Sequence, residues 1–455
     1  MSGLYGTLSI ALSALATSQQ ALETTSNNVA NAHTPGYSRQ RSVLVPGAPV
    51  SFGPLTIGTG VVLDKIESLR DPILEIQLNQ ETQQQSDLNA RLTQLQQIET
   101  HFSGSSSGIG ADITNFFNSL QQLAPNPSSL SLRQAVLTAA GNLANDFNVT
   151  ANNLQTQRGN LDQTVVQDVG EVNRLTTEIA SVDQQISNLE NVHENASTLI
   201  DQRTNLIRQL SGLIDVQVIP TDNGISLTTS NGTALVSGGE SFALSTTLAS
   251  DGTQHVISGT QDITAKLTGG SLAGTIQIRD EQIPGLLNQL DQLASGLANA
   301  LNTANQAGFD LNGNQGGNIF VPPPVGGSGA AISLKVAITD PALIAASSDG
   351  TAGSNGNIAV LAAVHDQTVV NGQTPLDYYS NVVFQIGSAT SNTSADVDAS
   401  AQILQQLNDQ RGSISGVSLD EEAANMVQYQ TAYQAAARVV STVNAMLDIA
   451  VNLGR

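Results

Sequence analysis

The chain has 455 residues, enough for two to four domains, and 40% of them are hydrophobic, yet only 3% are aromatic and there is no tryptophan. Its 16 basic and 38 acidic residues give a net charge of −22, which argues against nucleic acid and against an anionic membrane surface, since both demand clustered Lys and Arg. The absence of cysteine excludes disulfides, thiol catalysis and cysteine-ligated metals.

The first element is a helix. Tyr5, Leu8, Leu12, Leu15, Gln19, Leu22, Ser26 and Val29 alternate spacings of three and four, a heptad seam with two polar intruders. Glu23 is the only charge before Arg39. This N-terminus lacks the basic flank and unbroken apolar run of a cleaved signal, so the chain is expected to stay inside the cell or to leave by a route that needs none. Asn27, Asn28 and Asn31 weaken the last turns, and Thr34-Pro35-Gly36-Tyr37 fits a type II turn, with Pro at the second place and Gly supplying positive φ at the third.

Leu74, Leu78, Leu88, Leu92, Leu95 and Phe102 mark the next helix, opened by Asp71 as N-cap and Pro72 as first residue. A longer helix carries Leu161, Val165, Val172, Leu175, Ile179, Val182, Ile186 and Leu189, interrupted by Asp168, and a short one follows around Leu199, Leu206 and Leu210. From residue 213 the period becomes two-fold. "IDVQVIPTDNGISLTTSNGTALVSGG" reads as short strands joined by DNG and SNG turns, and strand-like character continues through "HVISG" and "GTIQIRD". Helical period returns from Ile283 to Ala304. A loop "GFDLNGNQGGN", a linker "VPPPVGGSG" and a strand "ISLKVAI" come next, before helices resume near 356.

The last helix mirrors the first, with Leu419, Met426, Tyr433, Val440 and Leu447 on one seam. Ser418 and Glu421 form a capping-box pattern, and Asp420, Glu421 and Glu422 suit a first turn. No stretch anywhere approaches the roughly 18 apolar residues of a membrane span.

Candidate chemistry is sparse. His33, His101, His193, His255 and His365 show no ligand spacing. Asp310, Asn312 and Asn314 have the one-three-five spacing of a calcium loop, but Gln315 and Val321 stand where that loop needs Gly and Glu, so a turn-rich loop is the simpler reading. The "DEE" at 420–422 is better explained by the helix dipole than by paired acid/base carboxylates. No catalytic, cofactor-binding or metal residue is expected. All six tyrosines fall in the terminal portions, in keeping with termini that meet partners or each other.

Three stretches resemble a known family. "SNNVANAHTPGYSRQ" is similar to the N-terminal signature of bacterial flagellar axial proteins (rod, hook and hook-associated). "SGVSLDEEAANMVQYQTAYQAAARVVSTVNAMLD", residues 415 to 448, resembles the C-terminus of the hook-associated protein 1 family of the hook–filament junction. "GGSLAGTIQIRDEQIPGLLNQLDQLASGLANALNTANQAGFDLNGNQGGNIF" resembles that family's internal segment, with Arg279-Asp280, Asn302 and the Gly308-Asp310-Leu311-Gly313 loop.

The expected fold is mainly α with a β insertion: paired terminal coiled-coil helices, an elongated flagellin-like helical domain and one outer all-β domain. Residues 1–45 and 412–455 would form the inner layer, 46–212, 276–306 and 351–411 the helical rod domain, and 213–275 with 307–350 the β domain. "VPPPVGGSGAA" stands where longer members carry a further outer domain, so one β domain is expected here. The resemblance implies export of an unfolded chain through the flagellar channel, with a chaperone holding about 415–455, and an extracellular place in the flagellum. It further implies self-association in a ring or helical layer, seated on the hook protein and followed by a second junction protein, with no nucleic acid and no membrane insertion. Leu8, Leu12, Leu15, Leu22 and Val29 on one helix and Leu419, Met426, Tyr433, Val440 and Leu447 on the other are the expected assembly interface, with Pro35 and Gly36 as the hinge. A hook or rod subunit shares the N-terminal signature and is the second reading. A secreted enzyme or adhesin on flagellar-like termini is the third, but residues 213–275 hold one aromatic, Phe242, and no catalytic cluster.

Overall fold

A computed structural model describes residues 2–52, 55–102, 108–192, 194–221 and 224–452. In chain order these form α1 (Ser2–Ala30), a β ribbon of β1 (Gln40–Pro46), β2 (Val50–Phe52), β3 (Leu55–Ile57) and β4 (Val61–Ser68), then α2 (Pro72–Phe102), α3 (Ile109–Leu123), α4 (Leu130–Asn191) and α5 (Ser197–Leu213). Seven short strands follow: β5 (Gln217–Thr221), β6 (Gly224–Thr228), β7 (Ala234–Ser237), β8 (Glu240–Ser241), β9 (Leu244–Leu248), β10 (Gln254–Ser258) and β11 (Gln261–Asp262). The chain closes with α6 (Gly270–Gln277), α7 (Ile283–Gln306), α8 (Ala330–Ser333), α9 (Gly356–Ala363), α10 (Pro375–Ser415) and α11 (Leu419–Asn452). His193, and Asp222 and Asn223 of the expected DNG turn, lie outside the described residues.

The spine is α4. Its 62 residues span roughly 93 Å at 1.5 Å per residue. It starts at Ser129, whose hydroxyl accepts from the Leu132 N–H, and it continues through Asp168, the polar residue that breaks its apolar series. Asp168 accepts from the Ser271 hydroxyl, and burial raises its carboxyl above the ordinary range.

Two apolar cores share this spine. The first half of α4 (Val136 to Leu161) packs with the end of α2, with α3, α7 and α9, and with Tyr378, Val382 and Ile386 of α10. The second half (Val165 to Ile186) packs with α5, α6 and the β insert, where Leu227, Leu235, Val236 and Val256 are fully buried. Neither core includes a residue of α1 or α11. The insert is two antiparallel meanders, ordered β5-β6-β7-β8 and β11-β10-β9. The expected SNG turn is there: Gly232 has φ +87° and Thr229 N–H donates to Thr233 O at 2.8 Å.

Several expectations are corrected. "GTIQIRD" is helical, as α6 and a wide turn at Ile278–Gln282. It is enclosed by α2, α4 and α5, and Gly274 lies against the Asp87 carbonyl, where an added Cβ would come within 2.5 Å. Residues 307–350 do not join the β insert. They make isolated bridges (Phe309 with Gln315 and Ser347, Phe320 with Val336), and Ile319, Phe320, Leu334 and Ile344 belong to the helical core. "ISLKVAI" holds no strand beyond the Val336 bridge, and α8 covers its start. Residues 46–68, assigned to the helical rod domain, lie in the β1–β4 ribbon, whose outer pairs run from Gln40↔Ser68 to Pro46↔Val61. Tyr378 and Tyr379 lie in the helical core rather than at the termini, with hydroxyls donating to Gln292 Oε1 at 3.0 Å and Phe102 O at 3.3 Å. The Asp310 loop, in contrast, is the turn that was expected, its carboxylate accepting from the Asn312 and Asn314 N–H groups at 2.8 and 2.9 Å.

Candidate assembly site at the paired terminal helices

Helices α1 and α11 lie antiparallel along one another, the end of α1 against the start of α11. On α1, Leu8, Leu15 and Leu22 sit seven apart and half-buried, and Ala11, Ser18, Ala21, Thr25 and Asn28 complete a buried line. Small residues between the leucines let the backbones approach. Leu12 and Val29 point away, 49% and 38% exposed. On α11, Met426, Tyr433, Val440 and Leu447 recur at seven and are half-buried, with Ala436 and Val443 buried between them. Leu419 is off this line at 48% exposed. The chain therefore brings together seven of the ten expected interface residues and turns Leu12, Val29 and Leu419 outward.

The outward faces are unusually apolar. Tyr5, Ile10 and Leu12 on α1, and Val427, Val439, Met446, Ile449 and Val451 on α11, are 37–63% exposed. Near the start of α1, Gly3, Gly6 and Ile10 with Val50, Ile57 and Gly58 of the ribbon line an open cleft of about 470 Å³. Large contiguous apolar surface of this kind marks an interaction site on a soluble protein.

At the joint, polar residues that sequence reading assigned to helix ends form one connected network. Gly36 has φ +83° and Tyr37 N–H donates to Thr34 O at 3.2 Å, the expected type II turn. Asn28 is 1% exposed and uses its whole amide: Nδ2 donates to Gln40 O and Glu422 Oε2, while Oδ1 accepts from the Tyr37 hydroxyl and the Gln40 N–H, all at 2.8–3.1 Å. Arg39 donates to Glu422 at 2.7 Å and to Glu421 at 2.5 Å. Ser418 Oγ still faces the Glu421 N–H at 3.5 Å, but the Glu421 carboxylate goes to Arg39 rather than back to its own helix end, so only half the capping box forms.

A second layer ties the turn to the helical domain. Arg411 of α10 donates to the Gly36 carbonyl and to Glu75 of α2, which also accepts from Arg208 of α5. Ser38 N–H and Arg70 both donate to Asp201. Burial, reinforced by the Asp201 and Glu422 carboxylates, pushes the Tyr37 hydroxyl up to about 12, and burial lowers Arg70 and raises Asp201 despite their pairing. The signal that could have found this joint was the scarcity of charge: Arg39 is the first Lys or Arg of the chain, just past α1, and the acidic first turn of α11 is the densest charge on a helix that beyond it carries only Arg438 and Asp448 among its described residues.

Among the described residues no group of three or more His, Asp or Glu side chains could hold a metal ion, and no helix is long and apolar enough to cross a membrane.

Family models match three parts of the chain: "Flagellar hook-associated protein FlgK helical domain" over residues 95–320, "Flagellar basal body rod FlgEFG protein C-terminal" over 410–453 and "Flagella basal body rod protein" over 8–37. The chain is 30% identical to flagellar hook-associated protein 1 of Bacillus subtilis, covering 99% of each chain. It is 28% identical to the protein of that name from Escherichia coli K12, covering 97% of this chain and 98% of the relative. A solved structure, that of the flagellar hook junction protein FlgK from Burkholderia pseudomallei, has a TM-score of 0.67 at 18% identity, covering 74% of this chain and 100% of the other, a likeness of fold.

Proposed function

The chain belongs to the flagellar hook-associated protein 1 family, and from that premise we propose that it is a self-assembling, non-catalytic subunit joining the flagellar hook to the filament. The observation that carries this is the pair α1 and α11, whose outward faces leave ten large apolar side chains 37–63% exposed while the two cores on α4 are already closed. A lone molecule would not keep such a surface in water. Copies arranged in a ring or helical layer cover it, with Leu12, Val29 and Leu419 facing neighbours and the seven seam residues joining α1 to α11.

The Pro35–Gly36 turn and its network act as the joint between this inner layer and the outer body. We further infer that the chain leaves the cell unfolded through the flagellar export channel, and that a chaperone covers about 415–455 before export, a segment whose described residues include six exposed large apolar side chains. It is then seated between the hook protein and a second junction protein. The non-catalytic reading is supported by the polar clusters, which satisfy one another: Asp162 and Asp280 hold Arg279, and Asp310 holds its own loop.

The rod-protein models at both ends favour a rod or hook subunit as the second reading, and the match over 95–320 favours the junction. Electron microscopy of cells lacking the gene, with flagellin assayed in the medium, decides between them. Complete hooks without filaments and shed flagellin support the junction. Absent or incomplete hooks move the protein to the rod or hook, and normal filaments overturn both.

A further inference from the structure

We propose that adjacent copies of this chain are set at a fixed axial stagger by an ion pair between Glu23 of one copy and Arg438 of the next. The inference rests on the assembly reading above and specifies its register.

The terminal pair is nearly devoid of charge away from the joint. Between Ser2 and Ala30 the only ion is Glu23, and beyond Glu422 the described part of α11 has only Arg438 and Asp448. All three are exposed. Glu23 touches only the Gln19 amide, at 3.2 Å, and among the described residues Arg438 and Asp448 have no side-chain partner. They stand amid apolar surface: Val439 beside Arg438 is 41% exposed, and Met446 and Ile449 flank Asp448 at 50% and 60%.

Their levels along the helices are fixed by the Asn28–Glu422 contact. Measured from that contact at 1.5 Å per residue, Glu23 lies about 8 Å down α1, Arg438 about 24 Å down α11 and Asp448 about 39 Å down. Within one chain Glu23 and Arg438 are thus roughly 16 Å apart along the axis, too far to pair. The order is minus, plus, minus at nearly equal steps. A neighbour displaced by about 16 Å brings its Glu23 level with Arg438, and its own Arg438 level with Asp448. An unstaggered neighbour would instead set like charges abreast. Covering the apolar faces removes water from these ions, and a desolvated ion without a partner is strongly unfavourable, so the stagger that pairs them is selected.

The absence of native cysteine makes the test direct. In cells carrying Glu23→Cys with Arg438→Cys, isolated hook–filament structures should give a ladder of covalent multimers on non-reducing gels, and neither single variant should. Within one chain the two positions exceed the ~7 Å Cα limit of a disulfide, so every bond must join copies. A second test uses charge. Glu23→Arg and Arg438→Glu should each cut filament attachment at least tenfold, and the two together with Asp448→Arg, which inverts all three charges, should restore it. Attached filaments with no ladder, or single exchanges that attach filaments normally while Leu15→Asp does not, would overturn the register and leave the assembly reading intact. Normal attachment in Leu15→Asp as well would remove the assembly reading itself.

Discussion

Asn28, one turn before the end of α1, donates to the Glu422 carboxylate across 3.1 Å, linking residues 394 positions apart. Because the same amide also serves Tyr37 and Gln40, this one side chain fixes α1, the Pro35–Gly36 turn, the ribbon and α11 together.

Asn28→Ala removes those four bonds and leaves buried partners behind, each unmet group costing about 1–3 kcal/mol. Asn28→Asp should do more harm, since it sets a buried carboxylate against Glu422 and the Gln40 carbonyl. Hydrogen exchange should show both variants loosening α1 and the start of α11, Asp more than Ala, with α4 and α7 protected as before. Equal protection of α1 in all three proteins would contradict the role given to Asn28.

Leu15→Asp and Val440→Asp place a charge on the half-buried line between the terminal helices. Both proteins should melt within a few degrees of the parent by circular dichroism, because neither side chain belongs to the cores on α4. Both should fail to attach filaments. A large fall in melting temperature would show that the terminal pair and the cores unfold as one unit.

Phe320 is 1% exposed and lies with its ring 6.3 Å from that of Phe116. Phe320→Ala should therefore destabilise the helical core by about 3–5 kcal/mol in urea unfolding. Had 307–350 belonged to the β insert, the same change would leave α3 and α7 untouched.

His255 stands between Asp262, at 2.6 Å, and Asp251, at 3.5 Å. Hydrogen bonding to Asp262 raises its pKa above 6.5 against partial desolvation. The stabilisation is thus fully present below pH 6.5 and is lost as pH rises through the raised value. Asp251, lowered to about 2 chiefly by the Thr253 N–H, contributes above pH 3.8 and loses that contribution as pH falls through about 2. Urea midpoints between pH 5 and 8.5 should decline with pH relative to His255→Gln. Parallel curves would remove His255 from the stability of the insert.

Much of this was legible in sequence wherever the signal is local. Asp71 accepts from the Ile73 and Leu74 N–H groups ahead of α2 as its position suggested, and Gly36 takes the positive φ that a Pro-Gly turn requires. One half of each seam was legible too, the half built from Leu, Met, Tyr and Val at sevenfold spacing. The other half was misplaced by one residue, because its true members (Ala11, Ser18, Thr25) are small, while Leu12 and Val29 are large and exposed. "GTIQIRD" alternates like a strand, but enclosure by three helices overrode that local preference. The Arg39–Glu422 pair spans 383 positions, and no local pattern announces such a partner.

The most direct test of the account compares hydrogen exchange in the purified chain with exchange in intact hook–filament preparations. Amides of α1 and α11 away from the Asn28–Glu422 contact should exchange readily in the free chain and become strongly protected on assembly, while α4 and α7 are slow in both. Terminal helices equally protected in the free chain, or still exchanging freely in the assembled flagellum, would contradict it.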